Sequence, residues 1–166
     1  MRVSVIGGGE VTDEETATAN ELGRVLAERG HTVVCGGRGG TMEAVCRGAT
    51  SAGGNTIGIL PSGDRREANP YVDVAIATGL GHARNALVPL NGDGVVALSG
   101  SSGTLTEVGF ASIYGRPTVV LEDGPIDGLD PAALAGLEIA PSPSAAVDTL
   151  ERLVDGADRS GCHHWK

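Results

Sequence analysis

Lysine is almost absent from this sequence. Lys166 is the only one, and Asp plus Glu outnumber Lys plus Arg by 21 to 12, giving a net charge of −9. Such a surface repels a phosphate polymer, which excludes nonspecific nucleic-acid binding; a small anion needs only a local positive site. The same balance fits a high-salt cytoplasm, and GC-rich coding would equally favour arginine over lysine. Paired cysteines at metal-binding spacing are missing: Cys35, Cys46 and Cys162 form no C-x-x-C, and Cys35 and Cys46 read as small buried residues in a reducing compartment. No apolar run reaches membrane-spanning length, and the first residues lack the basic region and long apolar stretch of a signal peptide. The expectation is a soluble, cytoplasmic protein with no membrane partner.

What is present is glycine at junctions. The 27 glycines are spread along 166 residues rather than bunched, so they mark turns rather than disorder. Strands are predicted at 2–6, 31–35, 55–60, 72–78, 95–98 and 116–121, with a short edge strand at 137–140. Helices alternate with them. Thr12 and Glu15 have the spacing of a capping box, and Gly30 stops the first helix. A second helix follows Gly40, another follows Gly81, another opens at Thr104 with Leu105, Val108, Ala111 and Ile113 as its apolar positions, and Ser144 is placed to cap the last. This alternation predicts one α/β domain over residues 1–158, three-layered with a mostly parallel sheet, and a tail at 159–166. Cys162, His163 and His164 in the tail are metal donors without a metal-binding pattern, and no metal site is expected.

The chemistry concentrates at Gly94 to Glu107. An apolar strand runs into Ser99-Gly100-Ser101-Ser102-Gly103-Thr104, and a helix begins. Glycines there let the backbone approach a ligand, and the free N–H groups of a helix start favour a phosphate. Thr104 and Glu107 lie three apart on that helix and can face one ligand. The alternative is a glycine-rich turn that only packs helix on sheet. The spacing is neither the dinucleotide fingerprint nor the P-loop, which requires a Lys. In a parallel sheet the loop containing Gly37, Arg38 and Gly39 should open on the same side. Arg38 could meet an anion there or sit as an exposed loop arginine. At the first loop, Asp13, Glu14 and Glu15 would oppose a phosphate, so Gly8 either contacts another part of the ligand or only makes the turn.

The stretch Gly100-x-x-Gly103-Thr104-x-x-Glu107 resembles the PGGxGTxxE motif of the LOG ("lonely guy") family, once described as lysine decarboxylases, with Ser99 in place of the proline and Ser101 in place of the second glycine. Gly81-His82-Ala83-Arg84-Asn85 resembles the family's M-H-E-R-K segment, with Asn85 replacing the lysine. The resemblance covers about residues 1 to 155. It implies a Rossmann-like fold and makes Arg84 and Glu107 the counterparts of the family's catalytic arginine and glutamate; a structural ion pair between them is the other reading. Gly100, Ser101, Ser102, Gly103 and Thr104 would then hold a phosphate, with Gly8, Gly37 and Gly39 lining the ligand. The segments Thr56 to Pro61, Asn69 to Asp73 and Thr78 to Asn85 look closer to the short LOG-like proteins related to molybdenum-cofactor carriers. Two functions are therefore implied. One is hydrolysis of a nucleoside 5'-monophosphate to free base and ribose 5-phosphate, needing no cofactor. The other is carriage of the molybdenum cofactor as a bound pterin ligand. By the same resemblance the chain is expected to form a homodimer or higher homo-oligomer.

Overall fold

The computed structural model describes residues 1–122, 126–134 and 136–160. Seven strands make one sheet: β1 Arg2–Ile6, β2 Thr32–Cys35, β3 Thr56–Leu60, β4 Val74–Ala77, β5 Gly94–Ala97, β6 Thr118–Leu121 and β7 Leu137–Ala140. Their order is β4-β3-β2-β1-β5-β6-β7 and every neighbouring pair is parallel. The helices are α1 Asp13–Glu28, α2 Thr41–Ser51, the short α3 Leu87–Leu90, α4 Ser102–Ile113 and α5 Pro143–Ser160. The result is the expected three-layer, Rossmann-like α/β fold. No helix among the described residues is long and apolar enough to cross a membrane.

Strand alternation builds two cores. Val3, Val5, Val33, Cys35, Val96, Leu98, Val119 and Leu121 pack with α1, α2 and α5, while Ile6, Val34, Val95, Ala97 and Val120 pack with α3 and α4. Successive residues of one strand point to opposite faces, and both faces are covered, which is why the central strands read as continuous apolar runs. Helices α1 and α2 approach closely at two glycines: a Cβ on Gly23 would overlap the Val45 carbonyl, and one on Gly48 the Asn20 carbonyl.

Local signals were obeyed where they were local. Thr12 caps α1, with Glu15 N–H donating to its Oγ1 at 3.2 Å and Thr12 N–H donating to Glu15 Oε2 at 2.7 Å. Three details differ. Helix α4 starts at Ser102, two residues before Thr104, and Ile113 at its end is 75% exposed because α4 presents Thr104, Glu107, Val108 and Ala111 inward. The last helix takes its cap from Ser142, whose Oγ accepts from Ala145 N–H at 3.3 Å, so Ser144 lies inside the helix. The segment after Gly81 is a tight 3-10 turn, Gly81–Ala86, ahead of α3. Cys162, His163 and His164 lie outside the described residues.

Candidate functional site

Strand order reverses direction at β1, with β2 on one side and β5 on the other. Loops leaving the carboxyl ends of these strands diverge there and leave a crevice. The chain ties the loops together by backbone: Gly8 N–H donates to Ser99 O at 2.9 Å, and Thr41 N–H donates to Gly8 O at 3.0 Å. Gly40, at φ 66°, precedes α2 where any side chain would strike the backbone of Gly8 and Gly9. Gly37, at φ 73°, accepts from Asn69 N–H at 2.9 Å, and Asn69 Nδ2 donates to Arg38 O at 2.9 Å. The loop holding Gly37 and Gly39 is thus pinned from the β3–β4 connection, and Gly39 itself is exposed.

Three helix N-termini converge on this edge and they are not equivalent. The start of α1 is filled by its own capping box and by Asp13, Glu14 and Glu15. Helix α2 starts at Gly40 without a side-chain cap and carries Glu43 in its first turn. Helix α4 has Ser101 at its N-cap position, with no side-chain cap bond and no acidic residue in its first turn. Its N–H groups and dipole are the ones free to receive an anion. Gly100 is required where it stands, because Thr104 packs against the position its Cβ would occupy. Ser101, Ser102 and Gly103 are exposed and Thr104 is buried. Ser99, also buried, hydrogen-bonds the Glu15 carboxyl, which holds Glu15 below its ordinary value. A cavity of about 290 Å³, lined by Thr12, Glu15, Thr18, Leu98, Ser99 and Leu121, opens on the α1 side of this loop.

Arg84 and Glu107 are brought together. Arg84 comes from the 3-10 turn and Glu107 from the second turn of α4, and both are more than nine-tenths buried or at that limit, with 9% and 7% exposure. Arg84 Nη1 stands 3.6 Å from Glu107 Oε1, beyond hydrogen-bond distance. Arg84 Nε is shielded from solvent and has no acceptor among the described residues. Burial pushes the Glu107 carboxyl up to about 7 despite the nearby guanidinium, and burial likewise pulls Arg84 down despite the carboxylate. Neither group moves the way a stabilising ion pair would move it; desolvation outweighs their attraction.

Further residues surround the pair. Gly36 lies under Arg84: an added Cβ would sit 2.5 Å from Arg84 Nη1 and 2.6 Å from Met42 Sδ. Thr41 is 1% exposed and its Oγ1 has no hydrogen-bond partner among the described residues. Cys35 lies on the floor, its Sγ 3.5 Å from Cys46 Sγ and receiving Gly37 N–H at 3.3 Å. The Cys46 thiol, and then Gly37 and Arg84, hold Cys35 below the ordinary thiol value. Asn85, at the position of the resembling family's lysine, turns its amide toward Gly103. Arg38 pairs with Glu67 at 3.0 Å in solvent and His82 is exposed, so neither lines the pocket floor. No cluster of metal-binding side chains occurs among the described residues.

Comparison with known proteins identifies the family and the fold. The model of the SLOG cluster4 family matches residues 1–147. A molybdenum cofactor binding protein from Rippkaea orientalis superimposes with TM-score 0.84 and 34% identity, covering 92% of this chain and 96% of that one. The molybdenum cofactor carrier protein of Chlamydomonas reinhardtii gives TM-score 0.80 and 32% identity over 93% and 98%. A cytokinin riboside 5'-monophosphate phosphoribohydrolase of Mycobacterium tuberculosis is 32% identical over 67% of this chain and 65% of its own length.

Proposed function

This chain belongs to the SLOG cluster4 family, among LOG-like proteins close to the molybdenum-cofactor carriers, and from that premise we propose that it binds a phosphate-bearing, nucleotide-like ligand and acts as a carrier of the molybdenum-cofactor type. The observation that carries the proposal is the Arg84–Glu107 pair. It is buried, its mutual attraction is outweighed by desolvation, and neither side chain makes a hydrogen bond among the described residues. Buried polar groups left in that state mark a place where a ligand, an ion or water completes the bonding, or where the group serves chemistry.

The roles follow from placement. Gly100, Ser101, Ser102, Gly103 and Thr104 at the start of α4 receive the phosphate through backbone N–H groups and the helix dipole. Arg84 supplies the fixed positive charge. Glu107, near neutrality in its titration, accepts from ring N–H or hydroxyl groups. Gly8, Gly37 and Gly39 let the flat end of the ligand lie across the loops. The pterin suits this donor set, since Thr41 Oγ1 and Arg84 Nε are buried donors awaiting acceptors. The superposition with carrier structures over 92–93% of this chain supports this reading. A homodimer is proposed on the same family ground.

A second reading is favoured by the retained Arg84 and Glu107 alone. The same site would hydrolyse the N-glycosidic bond of a nucleoside 5'-monophosphate. Water adds at the anomeric carbon, the carbon–nitrogen bond breaks, and the base leaves as ribose 5-phosphate forms, with Glu107 holding the sugar hydroxyl or the water. Incubating the purified protein with a panel of nucleoside 5'-monophosphates decides between them. Carriage predicts no free base. Base release that disappears in Glu107→Gln would establish the hydrolase instead.

A further inference from the structure

A second cavity, of about 460 Å³, lies at the opposite end of the sheet, below the amino ends of β1, β2 and β5 and away from the crevice. Arg2, Thr32, Leu90, Asn91, Asp93 and Arg116 are among its walls. In a chain of net charge −9 this cavity gathers two arginines that have no ion pair among the described residues; Arg47 and Arg65, also without one, stand singly on the exposed surface. Arg24, Arg29, Arg38, Arg66 and Arg152 each hold a carboxylate. Among the described residues, the guanidinium of Arg2 has no ion pair. Arg116 donates one bond, Nη2 to Leu90 O at 3.1 Å, while its Nε is shielded from solvent without an acceptor. The one carboxylate in the wall, Asp93, is turned to the backbone: its Oδ2 accepts from Arg2 N–H at 2.8 Å, and Asp93 N–H donates to Arg2 O at 2.8 Å. The turn at 91–93 is therefore anchored to β1 on one side and, through Leu90, to Arg116 on the other.

We infer that this cavity is a second anion site, one that binds a phosphate group, either free or as a small monoester. Two guanidinium groups present planar forks that match phosphate oxygens, and Arg116 already has one nitrogen buried and in need of an acceptor. A polymer is excluded by the surrounding charge. Among the charged side chains of the wall, Arg2 and Arg116 outnumber Asp93, so a small anion meets a local field opposite in sign to that of the whole molecule. The site does not depend on what the crevice binds.

The test uses the ¹⁵N-labelled full chain titrated with inorganic phosphate in one arm and ribose 5-phosphate in the other, at ionic strength held constant with sodium chloride. The expected result is saturable shifts of the amides of Asn91, Gly92, Asp93 and Gly94. Arg2→Gln and Arg116→Gln should each weaken that binding by at least about tenfold, and neither should alter the response of residues 100–104 to phosphate. Asp93→Asn, which keeps an acceptor for Arg2 N–H but removes the negative charge, should tighten it several-fold. The arm that saturates at lower concentration identifies free or esterified phosphate as the ligand. Arg116→Gln also removes the anchor on Leu90, so the exposed Arg2 position is the variant that keeps the fold. Shifts at 91–94 that rise linearly without saturation, or that survive Arg2→Gln undiminished, overturn the site.

Discussion

Replacing Glu107 by Gln should stabilise the ligand-free protein at alkaline pH while impairing ligand binding. Burial raises the Glu107 carboxyl from 4.5 to about 7. The unfolded chain therefore releases this proton near pH 4.5 and the folded chain only near pH 7. Between those values the folded state holds the extra proton, so stability falls as pH rises through this window and is level above it. The gap corresponds to about 3 kcal/mol. Gln reproduces the neutral carboxyl and does not titrate. Wild type and Glu107→Gln should be about equally stable at pH 4, diverge through pH 4.5 to 7, and differ by about 3 kcal/mol at pH 8 in favour of the variant, a shift of roughly 6–12 °C in Tm for a chain of this size. Urea unfolding across that pH range measures it. A wild type more stable than the variant at pH 8 would mean that Arg84 and Glu107 form a stabilising ion pair, and the functional reading of the pair would fail.

Three further outcomes follow from the same geometry. Gly36→Ala should fold, because the atoms its Cβ meets are the movable ends of Arg84 and Met42, but it should displace Arg84 and weaken ligand binding at least about tenfold by calorimetry. Thr41→Val removes a buried hydroxyl with no partner, so stability should hold or rise by about 1 kcal/mol while ligand affinity drops; a loss of stability would show that the hydroxyl serves the fold. Gly48→Ala drives a methyl into the Asn20 carbonyl across the α1–α2 contact, where backbone cannot yield, and should cost about 3 kcal/mol in chemical denaturation without altering the crevice directly.

Most of the fold was legible because its signals are local. The Thr12–Glu15 box, the apolar runs of the central strands and the edge strand Leu137–Ala140 each carry their information within a few residues. Ser142, rather than Ser144, caps α5 because two serines compete within three positions and Pro143 takes the first helical place. Arg84 and Glu107 were legible through motif resemblance, and the structure sets them 3.6 Å apart. Cys35 reads as a small buried residue, and it is, but its place beside Arg84 was not legible, and Gly36 and Thr41 were not singled out. Their meaning lies in contacts across the sheet: Gly36 is small because an arginine from residue 84 lies on it, and no spacing within the β2 loop encodes that. The unpaired state of Arg2 and Arg116 was hidden for the same reason, since exposure and partners of an arginine depend on the folded neighbourhood.

The central claim is that the unspent hydrogen bonds of Arg84 and Glu107 are directed at a phosphate-bearing ligand. Its most direct test is equilibrium titration of the purified full chain with isolated molybdenum cofactor, comparing wild type with Arg84→Gln. Saturable binding to wild type, weakened at least about tenfold in Arg84→Gln, is the predicted result. Equal affinity of the two proteins, or no saturation in wild type, would contradict it.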